Sequence, residues 1–121
     1  MTTISVDQLL RPEPQTTIIN AGDHQGSREI RGAVRYNPHD LLDADHLALP
    51  IAHDATVVLY AEHGPSPKLH EIAEKMLHDG FADVRVADVS LEDYEDLGGA
   101  TQDPSIAKAV PPMRPQNAEL T

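Results

Sequence analysis

The sequence predicts an α/β domain built on parallel strands, and three observations within residues 56–87 predict it. Thr56-Val57-Val58-Leu59-Tyr60 is an apolar, β-branched run of strand length. Ser66-Pro67 opens a helix in which Leu69, Ile72, Ala73, Met76 and Leu77 recur at helical period. Val84-Arg85-Val86-Ala87 is strand-like again, and a helical crossover between two such strands makes them parallel.

The helix is the best-marked element. Ser66 caps it, and Pro67 takes the first helical position, where an N–H would have no partner anyway. Lys68, His70, Glu71, Glu74, Lys75 and His78 fill the face opposite the apolar stripe. Gly80 supplies the left-handed stop, and Phe81 folds back on the last turn. In α/β proteins ligands sit where a loop leaves the carboxyl end of a strand and enters a helix, because free N–H groups and the positive dipole end meet there. A site is therefore expected at Ala61-Glu62-His63-Gly64-Pro65-Ser66.

The remaining elements follow in order. Ile4 to Leu10 reads as a short capped helix with Ile4, Leu9 and Leu10 turned inward, ending before Pro12 and Pro14. Thr16-Thr17-Ile18-Ile19-Asn20 is the first buried strand, and the polar, glycine-punctuated stretch from Ala21 to Glu29 is a loop. Ile30 to Tyr36 carries a turn into a second short strand, closed by Pro38. Residues 39–49, with Leu41, Leu42, Leu47 and Leu49 at mixed spacing, form one amphipathic helix or two broken ones. Ser90 to Leu97 is a capped final helix with Leu91, Tyr94 and Leu97 on one side, ended by Gly98-Gly99. Residues 1–99 thus make the domain. Residues 100–121, with Pro104, Pro111, Pro112 and Pro115, make a C-terminal tail whose Ile106, Val110 and Met113 are placed to pack on the domain or on a partner.

Composition narrows the function classes. A chain of 121 residues is one domain, and with 3 Tyr, 1 Phe and no Trp its core is aliphatic. Twenty acidic against nine basic residues give a net charge of −11, which argues against nucleic acid and anionic membranes as partners. The same charge keeps an ordinary protein soluble. No cysteine is present, so disulfides, thiolate catalysis and cysteine metal sites are excluded together. The N-terminus lacks a basic region followed by an apolar run, and no segment approaches the roughly 18 apolar residues of a membrane span. A cytoplasmic protein is the expectation.

Five strings in this order resemble the rhodanese-like domain family over about residues 4–100. Thr17-Ile18-Ile19-Asn20 stands where that family has a strand ending in Asp. Ile30-Arg31-Gly32-Ala33 is similar to the end of its Gly-His-Ile-x-Gly-Ala turn, with Arg28 and Glu29 in place of the Gly and His. Val57-Val58-Leu59-Tyr60 resembles the strand before the active-site loop, and Gly80-Phe81-x-x-Val84 the string after the loop helix. Tyr94 stands where the family usually has Trp.

The resemblance implies a single domain with a mostly parallel central sheet flanked by helices on both faces. It also implies a chemistry that this chain lacks. Family enzymes carry a cysteine directly after the apolar strand, whose thiolate takes sulfur from a donor such as thiosulfate and passes it to a thiophilic acceptor. The corresponding residue here is Ala61, and a methyl group has no lone pair to attack with. In the family loop, backbone N–H groups, often with a basic side chain, point at the transferred sulfur or an oxyanion. Here Pro65 removes one donor, Glu62 opposes anions, Asn20 replaces the strand-end Asp, and Gly22 stands where a basic residue is common. Lys68 is the nearest basic side chain.

Other chemistries are weaker. Asp23, His24, Glu62 and His63 should share the carboxyl edge of the sheet and offer a ligand set for zinc or nickel, yet His residues in polar loops are usually only solvated. His70, Glu74 and His78 at i, i+4 and i+8 span too far for one ion, and the recurrence of His39, His46 and His53 is broken by Pro38 and Pro50. Ser66 is committed to capping, and no Asp is placed to orient His63 as in a triad. The expectation is a non-catalytic module without a metal or cofactor. It would bind a protein or small ligand through Glu62, His63, Gly64, Ser66, Asp23, His24 and Arg28. An enzyme or metal-binding protein with a redirected site in the same loop is the alternative, and an ordered tail would offer a route to a homodimer.

Overall fold

Apolar side chains alternate along the strands between two buried layers, so the sheet needs cover on both faces. The computed structural model of the chain describes residues 2–4, 9–11, 15–22, 28–44, 49–64 and 66–104. Its elements are β1 (Thr2–Ile4), β2 (Thr16–Asn20), β3 (Glu29–Ile30), β4 (Val34–Arg35), α1 (Pro38–Asp43), β5 (Thr56–Tyr60), α2 (Pro67–His78), β6 (Asp83–Ala87), α3 (Leu91–Asp96) and β7 (Thr101–Gln102). Five strands form a sheet in the order β1-β6-β5-β2-β4, with every neighbouring pair parallel. A separate antiparallel pair joins β3 to β7.

On one face Ile19, Val57, Leu59, Val84 and Val86 meet Leu41 of α1 and Leu69, Ile72, Ala73 and Met76 of α2. On the other, Ile18, Val58, Tyr60 and Ala87 meet Ile30, Leu91 and Tyr94 of β3 and α3. The expected α/β sheet with helices on both faces is thus the observed one, and its core is mainly aliphatic, with Tyr36, Tyr60 and Phe81 buried within it.

Local chemistry explains the element ends. Asn37 caps α1 by accepting from the His39 amide at 2.9 Å, so Pro38 opens this helix as well as closing β4. Lys75 of α2 donates to the carbonyls of Leu42 and Ala44, satisfying the end of α1. Gly80, at φ +104°, turns the chain so that the Phe81 amide reaches back to Met76 at 3.1 Å. None of the helices among the described residues is long and apolar enough to cross a membrane.

Two expectations, at Ile4 and Glu29, need correction, and a third is narrowed. Ile4 belongs to a strand, not to a helix: Thr2, Thr3 and Ile4 pair with Arg85, Val86 and Ala87, while Leu9 and Leu10 are helical and residues 5–8 lie outside the described residues. β-Branched residues beside an open strand edge gain more from pairing there than from a local helix. Of the one or two helices expected over residues 39–49, one is seen and it spans Pro38–Asp43; Leu49 is buried outside it, and residues 45–48 are not among those described. Glu29 is no loop residue, being a fully buried member of β3. At the start of the expected tail, Thr101 and Gln102 pair with Ile30 and Glu29, and the Gln102 side chain accepts from the Gly32 amide at 2.9 Å. Residues 105–121 of the expected tail lie outside the described residues.

Candidate functional site

The sheet order places a site between β2 and β5. From β2 the chain goes on to β4 on one side, and from β5 to β6 on the other, so the loops leaving these two central strands diverge. Such a switch point opens a crevice at the carboxyl edge. The Ala21 amide donates to the Tyr60 carbonyl at 2.9 Å, holding the two strand ends together at its base. Above them lies a cleft of about 160 Å³ lined by Ala21 and Gly22 after β2, by Ala61, Glu62, His63 and Gly64 after β5, and by Ser66 and Lys68 at the start of α2.

The β5 loop is held by its own backbone. The Gly64 amide donates to the Ala61 carbonyl at 3.1 Å, and Gly64 takes φ +104°, a turn that favours glycine. Ser66 Oγ accepts from the Leu69 amide at 3.4 Å, so the hydroxyl is occupied as a helix cap as expected. The Leu91 amide, at the first residue of α3, donates to the Glu62 carbonyl at 2.8 Å and fixes the loop from the other face of the sheet. The Glu62 carboxylate stands 3.5 Å from His63 Nε2, but the His63 side chain is 91% exposed, where such a pair contributes little even when the imidazole is protonated.

Behind the β2 wall lies a buried polar group that sequence patterning missed. Asn20 Oδ1 accepts from the Gly22 amide at 3.2 Å, and the buried Arg35 guanidinium donates to the Gly22 carbonyl at 3.3 Å. Arg35 thus supplies positive charge beneath Gly22, although it comes from β4. Tyr60 is buried beside it, and its hydroxyl accepts from the Ile30 amide at 2.9 Å. Burial pushes the Tyr60 hydroxyl far above the ordinary tyrosine range; the charges of Glu29 and Glu62 add to the rise, and the Ile30 hydrogen bond and Arg35 oppose it. A charge inside Val34-Arg35-Tyr36 was the one sequence signal that could have found this group.

Of the expected site residues, Glu62, His63, Gly64 and Ser66 meet in the cleft. Arg28 does not line it; its guanidinium pairs with Glu95 of α3 at 3.0 Å. Asp23 and His24 lie outside the described residues, and among the described residues no three His, Asp or Glu side chains converge as metal ligands.

An all-parallel central sheet with helices on both faces and a strand-loop-helix cleft at its switch point defines an open-sheet α/β domain. Neither a family model nor a curated protein matches the sequence. Solved structures supply the fold's name. A rhodanese-like domain of a protein from Anabaena sp. superposes with a TM-score of 0.67 at 17% identity, covering 94% of this chain and 92% of that one. The 3-mercaptopyruvate sulfotransferase of Escherichia coli gives 0.68 at 15% identity over 91% of this chain and 53% of its own. A thiosulfate sulfurtransferase from Pseudomonas aeruginosa gives 0.61 at 14% identity over 85% of this chain and 20% of its own. The chain has the rhodanese fold, and it has it without a cysteine anywhere in its 121 residues.

Proposed function

We propose that this chain is a non-catalytic rhodanese-fold module with a regulatory role, binding a polypeptide segment in the cleft between β2 and β5. The observation that carries the reading is Ala61, a methyl group on the residue that leaves β5 for the cleft loop, in a chain without any thiol to hold sulfur. Size supports a peptide over a metabolite. The cleft's 160 Å³ is small beside the roughly 300–1,000 Å³ of small-molecule sites. It suits one or two apolar side chains resting on Ala21, Gly22 and Ala61, with Glu62 and Lys68 as charges of opposite sign to orient the backbone. His63, Gly64 and Ser66 complete the binding surface on the loop side.

The test places a photo-crosslinking residue at His63 and compares crosslinked polypeptides from the native cleft with those from Ala61→Leu, which fills it. A discrete crosslinked species that Ala61→Leu abolishes, with circular dichroism unchanged, is the expected result. Crosslinks indifferent to Ala61→Leu, or measurable sulfur transfer from thiosulfate to cyanide, would overturn the reading.

A further inference from the structure

The sheet edge is notched at the opposite end of β2 from the cleft. β4 pairs only Val34 and Arg35 with Ile19 and Asn20. Carried backward in the same parallel register, Gly32 and Arg31 would lie beside Thr17 and Thr16, but the chain leaves the sheet there. Gly32 takes φ +85°, the Ala33 amide closes a turn on the Ile30 carbonyl at 3.0 Å, and the Gly32 amide is drawn to the Gln102 side chain at 2.9 Å. The amino half of β2 therefore has no strand on that flank among the described residues.

The notch opens into a cavity of about 380 Å³, lined by Thr16 and Thr17, by Gly32, Val34 and Tyr36 around β4, and by Pro50 and Ile51. That volume falls within the roughly 300–1,000 Å³ of small-molecule sites, unlike that of the cleft at the carboxyl edge. Val34 and Ile51 supply apolar surface continuous with the core beneath α1 and α2. Among the described residues the lining has threonine hydroxyls and a phenol but no charged side chain. Tyr36 is 1% exposed and its backbone N–H is taken by the Asn20 carbonyl at 3.1 Å, yet among the described residues nothing bonds its hydroxyl. A buried phenol ordinarily finds a partner, so the cavity it lines is where one has to come from. Burial also holds this hydroxyl above the ordinary tyrosine range, which keeps it a protonated donor at neutral pH.

We propose that this edge cavity is a second binding site, for a neutral small molecule whose apolar body rests on Val34 and Ile51 and whose carbonyl oxygen accepts from the Tyr36 hydroxyl. The site is separate from the cleft between β2 and β5 and does not depend on what that cleft binds. A charged ligand is disfavoured, because no charge among the described lining residues would offset its lost hydration.

Benzamide, a neutral ring with one carbonyl acceptor, is the probe, and benzoate and benzylammonium carry the same ring with a charge. Titrated into the full chain at millimolar concentration, benzamide should saturably shift the Thr16, Thr17, Gly32 and Ile51 amide resonances and leave those of Gly22, Ala61 and Gly64 in place. Both charged probes should bind at least about ten-fold more weakly. Tyr36→Phe should weaken benzamide binding about five-fold with the melting temperature unchanged or raised, because the lost hydroxyl pairs with no group among the described residues. Thr17→Leu, which takes up part of the cavity, should weaken it several-fold by a route that leaves the phenol intact. The absence of a saturable shift at these positions, equal binding of the charged probes, or native affinity in both variants would each overturn the proposal. A lower melting temperature for Tyr36→Phe would give the hydroxyl a partner within the fold and overturn it as well.

Discussion

The hydroxyl oxygen of Tyr60, the last residue of β5, accepts a hydrogen bond from the backbone N–H of Ile30 at 2.9 Å. This contact ties the central sheet to β3 and, through the Ile30–Thr101 pair, to β7. One phenol thus links the strand that feeds the cleft to the chain segment beyond α3. Tyr60→Phe keeps the ring but leaves the buried Ile30 amide without its acceptor, at an expected cost of about 1–3 kcal/mol. A lower urea midpoint at unchanged slope is the result to look for.

The same residue gives the protein an alkaline limit. Tyr60 is raised by burial above the value near 10 that it takes when unfolded, so the native state keeps a proton that the unfolded state loses. Its contribution is complete below about pH 10 and is lost as pH rises toward the native pKa. Burial raises Tyr36 and Tyr94 as well, so the native protein should lose stability steeply above pH 10. Denaturant titrations at pH 9 to 11 should show a shallower loss for Tyr60→Phe; an unchanged slope would remove Tyr60 from the account.

Gly99 lies against the Tyr94 ring, and a Cβ there would overlap that ring, whereas one at Gly98 would meet open space. Gly99→Ala is therefore expected to cost about 1–3 kcal/mol through overpacking. Gly98→Ala should cost about 1–2 kcal/mol from its positive φ alone. Combining Gly99→Ala with Tyr94→Leu should recover part of the loss, a non-additivity that thermal melts of the single and double variants would reveal.

At the amino edge of the sheet, Arg85 donates two hydrogen bonds to Asp83, at 2.9 and 3.1 Å, and Thr56 Oγ1 donates a third at 3.1 Å. Chiefly through Arg85, and with help from Thr56, the Asp83 carboxyl is held below its usual range. A depressed carboxyl stabilises the fold above its unfolded value near 4, and the gain disappears as pH falls through the native value. The pair is partly exposed, so Arg85→Met should cost less than about 1 kcal/mol at pH 7. The difference between the two proteins should shrink as melts are taken to progressively lower pH through the native value of Asp83.

These residues also mark how far the sequence could be read. The β5-α2-β6 unit was legible because its signals are local: Ser66, Pro67 and Gly80 punctuate a 3.6-residue period between two apolar runs. The strand at Ile4 was not, because its partner Ala87 is remote in the chain and pairing overrides a weak local preference. Glu29 read as loop because a charge usually means solvent; its burial depends on a neighbourhood shared with Tyr60 and Arg35. The cleft divides along the same line. The half formed by Ala61 to Ser66 belongs to the local unit, whereas Ala21, Gly22 and the Arg35 support behind them depend on β2 lying between β5 and β4.

Restoring the thiol should not restore a sulfurtransferase. Ala61→Cys would put a nucleophile at the mouth of the cleft, but an anionic donor also needs N–H groups and positive charge around it. The Gly64 amide is turned back to the Ala61 carbonyl, Pro67 has no N–H, and the Leu69 amide is taken by Ser66. Glu62 brings a carboxylate into the same space, against Lys68 as the cation lining it. Losing a single oxyanion donor costs about 10²–10³ in turnover, so Ala61→Cys should transfer sulfur from thiosulfate to cyanide at no more than roughly a hundredth of an ordinary enzyme's rate. Adding Glu62→Arg should raise that rate, because it converts the opposing charge into an attracting one. Full turnover from Ala61→Cys alone would mean that the backbone donors re-form around a thiolate, and that only this one methyl group separates the cleft from sulfur transfer.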